Sequence, residues 1–400
     1  MKSSFGTRPT IVLGLAMVAL APAAHAVSYT QGDVTLDING VVNGYFVERD
    51  AKVTAANGTS TTTTNSGISS GLLPGWINFV ATAKAGGMDV KAHVSFAPGI
   101  NDNSVVVGLP IGNQSGAGNV NPYSQIDTRN LYLSFGNADM GTVKVGRDIG
   151  MFGQEVILSD MTLIGVGGTT NASIPYNTTF GMIGHGYMYT GFQAQIAYTT
   201  PNVGGLQASA GIFQPSSFAG NETKTPGLQA MASYAVKGDM PAKIWTGMVY
   251  QTTDCNSGNC ATKPFTAQGF ELGGKVGFGN AEVVAYGFSA TGLGLSTVGA
   301  QFLGGSDGNG NRTQSKGYLL QGTYKLGATK LGVNIGRNQD TKGAAGTGTL
   351  SNTGLTLGVY HALNKFITLV GEFNTEKQDN SAVSGKTETR TLSLGAIMFF

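Results

Sequence analysis

Cysteine, histidine, tryptophan and charge are all scarce in this 400-residue chain, which has two Cys, four His, two Trp and only 12% charged residues. Outside the first 26 residues the histidines are His93, His185 and His361, and they fall on different expected strands. No cluster with metal-ligand spacing appears, so the sequence argues against an enzyme and for no metal or other cofactor. Beyond the N-terminal region no run of eighteen or more apolar residues occurs, which excludes a membrane-spanning helix. Lys and Arg total 24 against 22 Asp and Glu. A charge so nearly balanced predicts no nucleic-acid partner.

What the chain has begins with an export leader. Lys2 and Arg8 precede an apolar stretch from Ile11 to Leu20, and Ala24-His25-Ala26 forms a small-x-small cleavage site. Residues 1–26 are therefore expected to be removed, leaving a single domain over 27–400. In an oxidising compartment Cys255 and Cys260, five apart in a polar stretch, are expected to form a small loop disulfide. A metal site is the rival, but further ligands are missing nearby.

Glycine is abundant, 62 of 400. The mature chain reads as segments of about ten residues with period-two alternation, the pattern of strands with two unlike faces. In 33–46, Val34, Leu36, Ile38 and Phe46 alternate with Asp33, Thr35, Asp37, Asn39 and Asn43. Further strands are expected at 75–85, 88–97, 125–136, 140–148, 185–199, 205–214, 227–237, 242–252, 265–278, 281–291, 316–326, 328–338, 353–363, 366–376 and 387–400. That makes sixteen. Tight turns (86–87, 137–139, 200–204, 238–241, 279–280, 327, 364–365) alternate with long polar connections (51–74, 98–124, 149–184, 215–226, 253–264, 292–315, 339–352, 377–386).

Such sorting is what an antiparallel transmembrane β-barrel of sixteen strands requires when its short turns and long loops lie on opposite sides of a membrane. A soluble sandwich has no reason for it. Closure also removes the unpaired edges that lipid would penalise. Tyr187, Tyr189, Tyr198, Tyr234, Trp245, Tyr250, Tyr286, Tyr318, Tyr324 and Tyr360 are candidate interfacial girdles.

The chain ends Thr391-Leu-Ser-Leu-Gly-Ala-Ile-Met-Phe-Phe400, with apolar residues on one face. Here it resembles the Gram-negative general porins, outer-membrane proteins with sixteen strands. The terminal Phe400 resembles the signal that family presents to the barrel-assembly machinery. Residues 138–148 resemble its fifth strand, and Asp160-Met161 with Gly167-Gly168 resemble its constriction loop. The resemblance implies a homotrimer in the outer membrane, in contact with its lipid and lipopolysaccharide, passing small hydrophilic solutes and ions. The family's Pro-Glu-Phe-Gly turn is replaced here by Thr162-Leu-Ile-Gly165, so no constriction acid is carried over at that point.

A sixteen-stranded barrel is too wide to discriminate solutes unless something narrows it. The third long connection, 149–184, contains Met151, Phe152, Val156, Ile157, Leu158, Met161, Leu163 and Ile164, which an outward loop would not need. It is expected to fold inward as a third external loop and to supply the acidic side of a constriction through Glu155 and Asp160. It has no Lys or Arg. The basic side would come from wall residues, by parity Arg49, Lys84, Lys91, Lys144 and Lys275, with His93 beside Lys91. Arg147 is the basic residue that the family resemblance selects. Alternation places Arg147 with Val143 and Val145 on the lipid face, where a mid-membrane arginine costs about 2–4 kcal/mol. Either a bulge at Gly146 turns it inward, or it sits at the strand end and snorkels. Arg337 raises the same question.

The alternative function is a substrate-selective channel, for an oxyanion or a sugar. That would call for an aromatic row or a single-sign ladder, whereas the expected inner face is mixed and rich in amides and hydroxyls. An adhesin or a barrel enzyme is a more distant alternative.

Overall fold

The computed structural model describes residues 26–100, 126–169, 178–216, 221–255, 260, 262–294, 305–381 and 385–400. The expected leader therefore lies outside the described residues except for Ala26. Parts of the long connections, 101–124, 170–177, 217–220, 256–259, 261, 295–304 and 382–384, lie outside them as well, as does 125 at the start of an expected strand.

Twenty strand segments form one sheet, and successive segments pair antiparallel from Met88–Pro98 round to Gly385–Phe399. The last segment pairs with Val34–Thr54, from Val41↔Phe399 to Thr54↔Lys386, and closes the sheet on itself. Three wall strands are divided. Ser60–Ser69 and Trp76–Ala85 both pair with Val34–Thr54. Ile126–Asp127 and Leu131–Asn137 both pair with Met88–Pro98. Asn221–Glu222 and Gly227–Val236 both pair with Ala242–Cys255. The N-terminal Val27–Gln31 extends the row of the last strand, pairing with Val34–Ile38 just below Phe400. Counted this way the wall is the expected closed barrel of sixteen antiparallel strands.

The two faces differ as the alternation predicts. Leu228, Ile244, Phe270, Leu320, Ile335, Leu357 and Leu394 are exposed, while neighbours of opposite parity such as Gln229, Glu271, Gln321, Asn334 and Glu372 are buried. Several strand boundaries move, two of them with a clear cause. The Thr-rich stretch within 51–74 is strand, because Thr61–Thr64 suit an extended backbone and pair with Asp50–Val53. The strand expected at 185–199 begins only at Phe192, since His185, Tyr187 and Met188 are buried in the interior cluster instead. The girdle reading also needs correction. Tyr198, Tyr234, Tyr318 and Tyr324 are exposed, but Tyr187, Trp245, Tyr286 and Tyr360 are buried. The three wall residues among the latter have inward parity, so lipid never meets them.

The Cys255–Cys260 disulfide is formed, with a Cα–Cα distance of 5.7 Å. It lies at the long-connection end of Ala242–Cys255. Phe400 closes the ring: Gly40 N donates to its carbonyl at 2.8 Å and its own N–H donates to Gly40 O at 3.0 Å.

Candidate functional site

Among the described residues between Ile149 and Phe192 the chain makes one helical turn, Gln154–Ile157, and one 3-10 turn, Met161–Ile164. Most of its amides thus lack partners within a regular element, and buried amides must find them elsewhere. Backbone carbonyls accept from many of them, and side chains on the inner parity of the wall accept from others. Gln229 Oε1 accepts from Met151 N (2.7 Å) and Phe152 N (3.1 Å). Glu271 Oε2 accepts from Gly153 N (2.9 Å) and from the Tyr286 hydroxyl (2.8 Å). Gln321 accepts from Met161 N (2.7 Å) and donates to Ser159 O (2.8 Å).

Glu372 accepts from Val166 N (2.8 Å), Gly167 N (2.7 Å) and the Tyr360 hydroxyl (2.6 Å). Glu376 accepts from Thr169 N (3.1 Å), and Asn338 donates to Tyr187 O (3.0 Å). Polar tethers alternate with apolar anchors: Phe152, Val156, Met161, Val166 and Met182 are buried in the main hydrophobic cluster. Sequence reasoning missed these wall partners. Their signal was there, as carboxylates and amides on the inner parity of the strands.

The two loop acids part company. Glu155 is paired with Lys243 at 2.6 Å, and both border a cavity of about 640 Å³. Asp160, 1% exposed, is not among the residues lining that cavity. Its Oδ1 accepts from Thr162 N (2.9 Å), Thr162 Oγ1 (2.7 Å) and Asn334 Nδ2 (3.2 Å). Its Oδ2 accepts from the Tyr187 hydroxyl (2.8 Å) and Met182 N (3.2 Å). Burial pushes its carboxyl above the ordinary range, partly offset by those donors. Asp160 is a hub of the segment's own fold, not a group facing the aqueous opening.

The basic candidates divide too. Lys91 and Lys144 line the cavity with His93. Both ammonium groups lie over the Tyr132 ring, at 5.7 and 5.2 Å from its centre. Lys144 is also ion-paired with Asp148. His93 Nε2 meets Asn78 Oδ1 at 2.9 Å. Arg49 shares the inward alternation of Tyr45 and Val47 and feels the charge of Glu376, but lies outside the cavity lining. Lys84 is exposed at a turn and pairs with Asp89 (2.6 Å), and Lys275 is also absent from the lining.

Arg147 corrects the expectation most clearly. The pairing Leu131↔Arg147, Tyr132↔Gly146, Leu133↔Val145 runs on without a bulge. Gly146 is glycine for another reason: φ is 131°, and a Cβ there would meet the Tyr132 Cα. Arg147 accordingly keeps the parity of Val145, at the strand end, and its Nε donates to Thr128 O at 2.9 Å. Arg337 follows the same rule, with Nε on Ser351 Oγ at 3.0 Å.

Two cavity cations escaped the parity argument. Lys243 is one. Arg129 is the other, bonded to Asp127 at 3.1 Å and lying against the rings of Trp76 (5.2 Å) and Phe192 (5.3 Å). Among the described residues the lining thus has four cations, Lys91, Arg129, Lys144 and Lys243, and four carboxylates, Asp37, Asp127, Asp148 and Glu155. Thr, Ser, Asn and Gln from the wall complete the wet side, including Asn78, Ser134, Thr142, Thr199 and Gln207.

A closed barrel with an apolar outside and a wet, charged interior defines the class of outer-membrane channels. Comparison with known proteins is specific. The model of the Gram-negative porin family matches residues 14–381, and the chain belongs to that family. It is thus an outer-membrane channel for passive diffusion. No curated protein matches the chain in sequence. Among solved structures it is similar to the outer membrane channel DcaP of Acinetobacter baumannii, with 14% identity, a TM-score of 0.64 and coverage of 93% of this chain and 99% of that one. It is also similar to OmpT of Vibrio cholerae, at 13% identity, TM-score 0.58, and 93% and 100% coverage. An anion-selective porin from Comamonas acidovorans matches at 17% identity, TM-score 0.54, and 90% and 100% coverage. At such identities the likeness is one of fold.

Proposed function

We propose that the chain is a general porin of weak ion preference, narrowed by the 149–184 segment, and not a channel dedicated to one solute. The observation that carries this reading is the balanced lining, in which each carboxylate of the Lys144–Asp148, Lys243–Glu155 and Arg129–Asp127 pairs has a cation in contact. Opposed charges across an opening order water and sort solutes by dipole, whereas a single-sign ladder would select one ion. Glu155 is the constriction acid, with Lys91, Lys144, Arg129 and Lys243 as its basic counterpart. A single-sign preference measured across a salt gradient would overturn this and favour the oxyanion-selective reading.

Several wall strands are too short to cross a bilayer, which needs about 9–11 tilted residues. Phe192–Thr199 and Leu206–Phe213 have eight each, and the longer part of one divided strand, Leu131–Asn137, has seven. They expose Leu131, Leu133, Ile196 and Ile212. A neighbouring copy covering this low wall fits a homotrimer. On the opposite wall, Lys316, Arg337 and Arg390 are exposed just above the apolar belt, at the long-connection end, where they suit lipopolysaccharide phosphates. Residues 1–26 act as the export signal and Phe400 as the assembly signal. A trimer-sized band in mild detergent that collapses on boiling tests the assembly.

A further inference from the structure

The second wall strand is interrupted where no long connection requires it. Tyr45 pairs with Ser69, and Val41 pairs with Trp76. The chain therefore spends residues 70–75 bridging a gap that three partners, Val42, Asn43 and Gly44, would fill in a regular ladder. The surplus leaves the wall and packs on the 149–184 segment. Leu72 N donates to Gly165 O at 2.9 Å, and Thr179 N donates to Gly71 O at 3.0 Å. The approach is so close that a Cβ on Gly71 would overlap the Gly165 carbonyl oxygen.

One buried side chain holds this excursion. Asn43 donates through Nδ2 to Leu73 O (2.9 Å) and Pro74 O (3.2 Å), and its Oδ1 accepts from Gly71 N (2.9 Å). Both functions of the amide are used, on three backbone groups. Leu72, Leu73 and Trp76 line the cavity, next to Ile157, Leu163 and Phe180. They form an apolar part of the lining, bordered by Arg129 where its guanidinium lies against Trp76.

Resting on the channel reading above, we infer that residues 70–75 are a second constriction element. Asn43 is its positioning residue, and Leu72 and Leu73 set which solutes pass. The opening is then formed by two chain segments, one apolar and one bearing Glu155. Solutes with one apolar edge pass it more readily than equally large solutes that are polar all round. A strand break that served only the wall would need no side chain aimed at the opening.

The test uses the full-length folded protein in liposomes and planar bilayers. Wild type, Asn43→Ala, Asn43→Asp and Leu72→Ala/Leu73→Ala are compared for single-channel conductance and for uptake of raffinose relative to arabinose. The expected result is a higher conductance and a raised raffinose-to-arabinose ratio for Asn43→Ala and for the double variant. Asn43→Asp, which keeps the acceptor for Gly71 N, gives a smaller rise. A separate pair, sodium pentanoate and sodium gluconate, should lose its difference in rate in the double variant. Heat-modified mobility shows whether each variant is folded, and the double variant leaves every backbone bond of Asn43 in place. If the folded double variant conducts and sorts sugars like wild type, the inference is overturned. If wild type itself carries no current, the channel reading fails instead.

Discussion

Glu372 is the place where a single substitution should loosen the inner segment. Its carboxylate accepts two amides of that segment and the hydroxyl of Tyr360, all at 2.6–2.8 Å and all buried. In Glu372→Leu the three donors lose their acceptor. A buried unsatisfied donor costs about 1–3 kcal/mol, so the loss is about 3–9 kcal/mol before water enters the lumen to relieve it. Glu372→Gln is milder. Its carbonyl oxygen can keep Val166 N and Gly167 N, while the Tyr360 hydroxyl turns to accept from the new NH2 group, leaving only the charge-assisted increment of about 1–2 kcal/mol. The assay is urea unfolding of the purified protein in detergent, alongside single-channel recording. Glu372→Leu should unfold at clearly lower urea and show a noisy open level as the segment moves, with Glu372→Gln between it and wild type. If Glu372→Leu were as stable and as quiet as wild type, the wall carboxylates would not be what holds the segment.

Charge substitutions at the opening should act in opposite directions. Glu155→Gln shifts reversal potential towards anion preference and Lys243→Gln towards cation preference, whereas Arg147→Gln, on the outer parity, leaves it unchanged. Reducing Cys255–Cys260 should leave conductance as it is and cost at most about 2 kcal/mol, because the closed loop is short. Asp160 gives a pH signature. Burial raises its folded pKa above the unfolded value, so its contribution to stability is fully present below about pH 4 and is lost as pH rises through the folded pKa. Asp160→Asn should flatten that part of the pH–stability profile, measured by urea unfolding across a pH series.

The barrel was legible because period-two alternation and the sorting of short and long connections are set by local physics: one face meets lipid, and one end faces outward. Inward parity found Lys91, Lys144 and His93 for the same reason. Other features depend on contacts between residues far apart in sequence. Asp160 and Glu155 look alike in the chain, yet one is enclosed by Tyr187, Asn334 and Thr162 and the other pairs with Lys243 at the cavity's edge. Strand 185–199 was extended too early because Tyr187 and Tyr189 carry a strand's aromatic signature while serving the interior. Motif likeness pointed to Arg147, and register overruled it: a glycine with positive φ need not be a bulge. The break at 70–75 had no signal beyond Pro74 and the flanking glycines, which read equally well as a surface turn.

The most direct test of the account is the current through purified protein in a planar bilayer held across a salt gradient. A water-filled opening lined by four cations and four carboxylates predicts discrete steps, current linear in voltage, and a reversal potential near zero. A reversal potential close to the Nernst value for either ion, or block of the steps by a low concentration of one solute, would contradict it.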